Sequence, residues 1–130
     1  MQTFRNLAKG RPLRSVQAGE VIFQPGDPGD CLYCVVKGRV GIEWADGRLS
    51  ETIEPGSSFG VGALVDPQHR RFGTATALSD GELLAMNREE FLLAIQELPM
   101  FALEMLQDLD GRLRDLKIRT STEARDGIGG

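Results

Sequence analysis

Short apolar runs separated by turn residues fill the first two-thirds of the chain. Clusters of Pro, Gly and Asp interrupt these runs, which recur about every ten residues, a rhythm typical of antiparallel strands in a sandwich or roll. The clearest runs are EVIF, CLYCVV, RVGIEW, ETI and TATAL. Two interruptions predict turns: PGDPGD at residues 25–30, and ADGR at residues 45–48, where Asp46 and Gly47 suit a tight hairpin. This part of the chain is therefore predicted to be β.

After about residue 85 the apolar spacing becomes that of helices. Asn87 is a candidate N-cap, Glu90 completes a capping box, and the apolar residues that follow predict a helix ending near Leu98. Pro99 fits the first turn of a second helix, which we predict to run through Leu116. One stripe of that helix, interrupted by an arginine, comprises Phe101, Met105, Leu109, Arg112 and Leu116. The stripe predicts a helix that either packs on the β domain or pairs with a second copy of itself.

Length and composition indicate a single globular domain. The chain has 130 residues, of which 41% are hydrophobic and 26% are charged. We assign residues 1–117 to this domain. Residues 118–130 are polar and Gly-rich without periodicity, so we predict a disordered tail.

The charge balance argues against a nucleic-acid-binding or membrane-binding surface. The 19 acidic and 15 basic residues give a net charge of −4, so no general basic surface is expected. No apolar run approaches the length of a membrane span, and the N-terminal segment lacks the apolar region of a secretory signal. We therefore expect a cytoplasmic protein that does not bind membranes.

The candidate reactive residues do not form a catalytic or metal-binding pattern. The two cysteines, Cys31 and Cys34, lie three positions apart on a predicted strand, where their side chains point to opposite faces. We expect two packed thiols rather than a metal or redox site. No Ser, Thr or Cys has a visible base beside it, and no carboxylate pair suggests acid-base chemistry. The sequence thus favours a binding protein over an enzyme.

Several short motifs follow one another in an order that points to a known family. They are the Gly-Asp-Pro-Gly-Asp turn of residues 26–30, the run from Leu32 to Gly38, Pro55-Gly56, and Phe59-Gly60 followed by Ala63-Leu64. With these motifs, about residues 17–117 resemble the cyclic-nucleotide-binding domain of catabolite activator protein, FNR-type regulators, protein kinase A regulatory subunits and several ion channels. The resemblance implies an eight-stranded antiparallel β-roll (jelly roll) with a short N-terminal helix and two C-terminal helices. It also implies a C-terminal helix that moves when ligand binds.

The resemblance further implies a phosphate-binding cassette between two strands. In the family, the amides of a short helical turn and an arginine hold the cyclic phosphate, and a glutamate accepts the ribose 2′-hydroxyl. Gly60, Gly62, Ala63 and Leu64 would supply the amides, and Arg71 falls at the arginine position. The candidate ligand-binding residues are Phe59, Gly60, Val61, Gly62, Ala63, Leu64, Arg71, Phe72 and Gly73.

Two cassette positions depart from the family pattern. Val61 replaces the glutamate and accepts no hydrogen bond, and Phe72 follows the arginine where a small hydroxyl residue is common. Loss of one partner to a buried hydroxyl costs about 1–3 kcal/mol, or roughly five- to 150-fold in affinity. Phe72 either conflicts sterically with the phosphate or points into the core.

Two functional hypotheses follow from this combination. The first is a stand-alone cyclic-nucleotide-binding-like regulatory or sensor domain with an atypical cassette and cAMP or cGMP as ligand. The alternative is a degenerate domain that binds no nucleotide and acts as a protein-interaction or dimerisation module, as a homodimer or with a protein partner through helix 99–116. DNA-reading family members add a helix-turn-helix after the long helix, and too few residues follow here, so we expect no DNA binding through this chain alone.

Overall fold

A computed structural model describes the backbone of residues 2–129 and the side chains of residues 3–44 and 46–121. Its helices are α1 (Gln2–Ala8), α2 (Gly62–Val65), α3 (Arg88–Glu97) and α4 (Pro99–Gly129). Its strands are β1 (Arg14–Val16), β2 (Val21–Phe23), β3 (Cys31–Lys37), β4 (Val40–Trp44), β5 (Leu49–Ile53), β6 (Ser58–Phe59), β7 (Thr74–Ala77) and β8 (Gly81–Asn87). Each of the predicted apolar runs coincides with a strand.

The strands described here form two four-stranded antiparallel sheets. One sheet has the order β1-β8-β3-β6 and the other the order β2-β7-β4-β5. The predicted hairpin joins β4 to β5, with Asp46 and Gly47 both at positive φ (57° and 84°), as a tight turn requires. The fold is therefore the predicted β-roll, with a short helix before it and helices after it.

The long strand β3 is buried on both faces because sheets and helices enclose it. Its odd-numbered apolar residues face the interior between the two sheets, and Leu32 and Cys34 face a second cluster shared with α1, α3 and α4. Cys31 and Cys34 thus lie on opposite faces as free thiols, as predicted. Burial raises the pKa of Cys34 far above its ordinary value, so this thiol stays protonated at neutral pH.

The junction of α3 and α4 follows the predicted caps. The Asn87 side chain accepts a hydrogen bond from the Glu90 amide at 2.9 Å, and the Glu90 carboxylate accepts one from the Asn87 amide at 3.0 Å. The first of these helices ends at Glu97 with Leu98 as its C-cap, and Pro99 begins the next. The capping box therefore fixes where the chain leaves β8 and turns back along the roll.

The N-terminal half of α4 packs on the domain, which was one of the two predicted alternatives. Phe101 is buried against Phe4 and Phe91, with ring centroids 4.7 and 5.9 Å apart, and Met105 is buried in the same cluster. No helix within the described residues is both long and apolar enough to cross a bilayer.

The C-terminal half of α4 differs from the sequence prediction. The helix was expected to end near Leu116 and a disordered tail to follow from residue 118, but the described backbone is helical through Gly129; residue 130 lies outside the described residues. Ion pairs four residues apart, Arg114 with Asp110 and Arg119 with Asp115, favour the helix as far as Arg119. The grouping of residues 1–117 as one domain stays a prediction.

Candidate functional site

The turn at residues 25–30 holds the segment that carries the cassette arginine. The Arg71 amide donates to the Asp27 carbonyl at 2.8 Å, and the Gly26 amide donates back to the Arg71 carbonyl at 2.9 Å. The Gly29 amide donates to the His69 carbonyl at 2.8 Å. The two segments therefore pair like short strands, and the turn fixes the direction in which the Arg71 side chain leaves the backbone.

The Arg71 side chain points inward and is almost fully buried, with 7% of the residue exposed. Its guanidinium donates to the Gly60 carbonyl at 3.1 Å and to the Cys31 sulfur at 3.7 Å. It also lies over the rings of Phe23 and Tyr33, 4.4 and 5.7 Å from their centroids. Within the described residues no carboxylate forms an ion pair with Arg71.

Two glycines make room for this guanidinium. A Cβ atom at Gly29 would lie 2.5 Å from Nε of Arg71, and one at Gly60 would lie 2.6 Å from its Nη1. Gly60 also has a φ of +81°, which side chains rarely adopt. Only glycine therefore fits at these positions while the arginine stays in place.

Two of the predicted amides bond within the turn that begins the cassette helix α2. The amides of Ala63 and Leu64 donate to the carbonyls of Gly60 and Val61 within the turn, at 3.2 and 2.9 Å. Both side chains are buried in the protein. The amides of Ala63 and Leu64, two of the four predicted, therefore already have partners within the turn, whereas residues 60–62 precede them.

The two atypical cassette residues lie at the wall of a cavity that the cassette helps to form. Val61 is half-buried and packs against the second core cluster, so no side-chain acceptor exists at this position. Phe72 is 82% exposed, which excludes the predicted alternative that it points into the core. Both Phe72 and Trp44 contribute to the wall of the cavity.

A cavity of about 210 Å³ unites these residues. Every predicted ligand-binding residue except Leu64 contributes to its wall, while Leu64 faces the core shared with the helices. The wall also contains residues that were not predicted: Phe23, Ile42, Trp44, Glu51, Arg70 and Arg112. The cavity therefore extends from the cassette to β4, β5 and α4.

Arg112 links the last helix to this cavity through a charged network. Its Nε pairs with the Glu51 carboxylate, while its Nη1 donates to the Ser58 carbonyl at 2.7 Å and to Asp108 at 3.2 Å. Burial by itself would lower the pKa of Arg112, but the hydrogen bonds and attraction to Glu51 and Asp108 outweigh it and raise the pKa. Arg112 therefore remains charged and joins α4, β5 and the strand that leads into the cassette.

The sequence contained signals for two cavity residues that were not predicted, Glu51 on β5 and Arg112 on α4. On β5 the residues alternate, so Leu49, Glu51 and Ile53 share the face that points inward. A glutamate on such a face requires a buried partner. Arg112, which interrupts the apolar stripe of α4, is that partner, but only the tertiary structure brings the two together.

Comparisons with known proteins agree with the fold. Residues 13–97 match the sequence model of a family described as "Cyclic nucleotide-binding domain". The cyclic AMP receptor protein of Thermus thermophilus is 35% identical over 118 residues, covering 85% of this chain and 54% of that protein. A crystal structure of Thermus thermophilus catabolite activator protein superposes with a TM-score of 0.68 at 33% identity, covering 87% of this chain and 55% of that one.

A different kind of relative carries the same domain within a much longer chain. Lysophospholipase nte1 of Aspergillus terreus is 35% identical over 119 residues, which cover 88% of this chain but 8% of the lysophospholipase. The chain thus spans about half of the Thermus protein and a small part of the fungal enzyme. The similarity is to one domain, which occurs in regulators and in enzymes.

Proposed function

This chain belongs to the cyclic nucleotide-binding domain family, and on that premise we propose that it is a regulatory module that binds a cyclic nucleotide, cAMP or cGMP. The phosphate binds to the Arg71 guanidinium and to the amides of residues 60–62. The nucleoside lies towards β4, β5 and α4, where the rest of the cavity wall is found.

The observation that carries the proposal is the environment of Arg71. A cation removed from water without an anionic partner is costly, and neutral groups such as a carbonyl, a thiol and two rings offset only part of that cost. A phosphate beside the guanidinium would supply the missing charge through short, charge-assisted hydrogen bonds. The glycines that accommodate Arg71 keep it ready for such a ligand.

The size of the cavity suggests how binding affects α4. Its volume of about 210 Å³ is below the roughly 300–1,000 Å³ of most small-molecule sites, so a nucleotide would need the wall to open. Arg112 is the part of the wall that belongs to α4. Binding would therefore shift this helix, provided that the ligand has different affinities for its two positions.

Calorimetric titration with cAMP and cGMP tests the binding proposal. We expect Arg71→Ala to weaken binding by about 100-fold or more, because it removes charge-assisted bonds to the phosphate. Arg114→Ala is the matched control, since Arg114 lies exposed on α4 outside the cavity wall. Equal affinity of the Arg71 variant and the unaltered protein, or no binding of either nucleotide, would contradict the proposal.

Amide hydrogen exchange tests the proposed response of the helix. We expect saturating nucleotide to change the protection of residues 100–116, with Arg71→Ala as the unresponsive control. An unchanged pattern at saturation would show that ligand binding does not reach α4.

A second candidate function, homodimerisation through α4, rests on the outer face of the helix. Leu106 and Leu113 are 62% and 50% exposed, and Leu109 and Leu116 lie beside them with part of their surface exposed. Their alternating spacing of three and four residues is the pattern of helices that pair in a coiled coil. Phe101 and Met105 of the predicted stripe are already buried, so only its Leu109 and Leu116 belong to the face that would pair.

Sedimentation over a concentration series tests the dimer. We expect a mass of twice the 14.2 kDa of the chain, and a monomer after Leu113→Lys. Leu103→Lys serves as the control, because Leu103 is exposed on the same helix but lies outside that spacing. A monomer of the unaltered protein at high concentration would contradict the dimer.

The remaining proposals concern the setting of the domain. We place the module in the cytoplasm as a signalling component without catalytic activity, without membrane association and without DNA binding through this chain alone. The relatives include regulators and a lysophospholipase. The process that this module regulates therefore depends on the protein that responds to it. Retention of the purified protein by an immobilised DNA fragment or by anionic vesicles would contradict this assignment.

A further inference from the structure

Glu51 provides a carboxylate on the cavity wall, while Val61 of the cassette provides no acceptor. We propose that Glu51 is the acceptor for a hydrogen-bond donor of the bound nucleoside, either the ribose 2′-hydroxyl or the 2-amino group of a guanine base. The inference rests on the proposed function, because it concerns the nucleoside part of the same ligand. It assigns recognition to β5 rather than to the cassette helix.

The position of Glu51 on its strand directs its side chain towards the ligand. Glu51 pairs with Ile42 of β4, and both residues contribute to the cavity wall that Gly60 and Arg71 also form. The Glu51 side chain is only 9% exposed. A ligand whose phosphate contacts Arg71 would therefore meet this carboxylate in a largely desolvated place.

The carboxylate is held in place and still has acceptor capacity. Arg112 pairs with one carboxylate oxygen and is itself held by Asp108 and the Ser58 carbonyl. An ionised carboxylate has about four acceptor positions on its two oxygens. Glu51 can therefore accept a bond from a ligand without releasing Arg112.

This arrangement also gives Glu51 a selective effect. A ligand that lacks the matching donor would bury the carboxylate with one hydrogen bond fewer, and a site built around a donor rejects such analogues strongly. A competing interpretation is that Glu51 serves only to tie β5 to Arg112. The two interpretations differ in whether Glu51 senses the chemistry of the ligand.

A thermodynamic cycle that combines Glu51 substitutions with altered ligands distinguishes the two interpretations. Affinities of cAMP and 2′-deoxy-cAMP, and of cGMP and cIMP, are measured for the unaltered protein, for Glu51→Met and for Glu51→Gln. The first ligand pair differs in the ribose hydroxyl and the second in the amino group of guanine. Glu54→Gln is the control, because Glu54 is exposed just beyond the end of β5.

We expect the unaltered protein to bind one member of at least one pair about tenfold or more tightly, because only that member donates a charge-assisted hydrogen bond to Glu51. Glu51→Met should reduce that ratio to about threefold or less, and Glu51→Gln should give an intermediate ratio, because the amide oxygen still accepts a bond. The Glu54 variant should keep the full ratio. The pair that responds identifies whether the donor is on the ribose or on the base.

The outcomes separate this inference from the proposed function. If binding depends on Arg71 but the ratios are the same in all Glu51 variants, Glu51 only holds Arg112 and the inference is wrong while the proposed function stands. If the unaltered protein binds neither cAMP nor cGMP, both are wrong. Thermal unfolding of each variant verifies that it is folded. If Glu51→Met does not fold, the comparison of Glu51→Gln with the unaltered protein still decides the test.

Discussion

Two arginines border the same cavity in opposite electrostatic settings. Arg71, at the cassette end, contacts a carbonyl, a thiol and two aromatic rings. Arg112, at the α4 end, contacts the carboxylates of Glu51 and Asp108. One cation is buried without a counter-charge among the described residues, and the other is neutralised by its neighbours.

The difference indicates separate tasks for the two ends. A paired arginine contributes to holding the structure together, because removal of either partner leaves a charge without compensation. An unpaired buried arginine contributes little to stability and is instead suited to binding an anion from solution. The cassette end is thus expected to govern ligand affinity, and the α4 end to govern how the helix is attached.

Matched substitutions of the two arginines should give the largest contrast in stability. We expect Arg112→Met to lower the free energy of unfolding by about 2 kcal/mol. This loss is smaller than for a fully buried ion pair because Arg112 is partly exposed. Arg71→Met should change it by less than about 1 kcal/mol, since the lost contact with the Phe23 ring and the relieved desolvation oppose each other. Urea unfolding without ligand measures both. Equal losses would remove the distinction between the two ends.

The close packing around Arg71 should give an effect on stability of similar size. A Cβ at Gly29 would meet the Arg71 guanidinium and the Cβ of Ala63, 2.9 Å away, so Gly29→Ala should lower the free energy of unfolding by about 2 kcal/mol. In an Arg71→Ala background the same substitution should cost less than half as much. The double-mutant cycle reports this coupling, and full additivity would mean that Arg71 is not what excludes a side chain at Gly29.

At alkaline pH the titration of Cys34 should lower the free energy of unfolding, independently of the two arginines. Because burial raises the pKa of Cys34 above its ordinary value of 9.0, the unfolded chain loses this proton first and stability falls as the pH rises above 9.0. The expected slope is about 1.4 kcal/mol per pH unit. Urea midpoints at about pH 8, 9 and 10 measure it, and Cys34→Ala should flatten the decline. A decline of equal slope in that variant would point to another group.

An exposed arginine of the same helix should give the smallest effect. Arg114 pairs with Asp110 at 3.0 Å, but both side chains are mostly exposed. We expect Arg114→Gln to change the free energy of unfolding by less than about 0.5 kcal/mol, because water and salt weaken surface pairs. A loss as large as that of Arg112→Met would mean that α4 depends on its charges in general rather than on the buried network.

Most of the fold could be predicted from the amino-acid sequence. The alternating runs gave the strands, Asp46-Gly47 gave a hairpin, and Asn87 with Glu90 gave the start of α3, because each depends on residues close together in the chain. Local spacing carries this information because backbone conformation is a local property. The position of Arg71 in the cassette was implied by the resemblance to the cyclic-nucleotide-binding domain rather than by local spacing.

The tertiary structure decided which side chains meet. Glu51 and Arg112 are 61 residues apart, and only the packing of α4 on β5 makes them partners and brings them to the cavity of Arg71. The same packing buried one face of α4 and exposed the other. Charge pairing and burial depend on neighbours that are distant in the chain, so the chemistry of the two ends of the cavity became apparent only in the folded molecule.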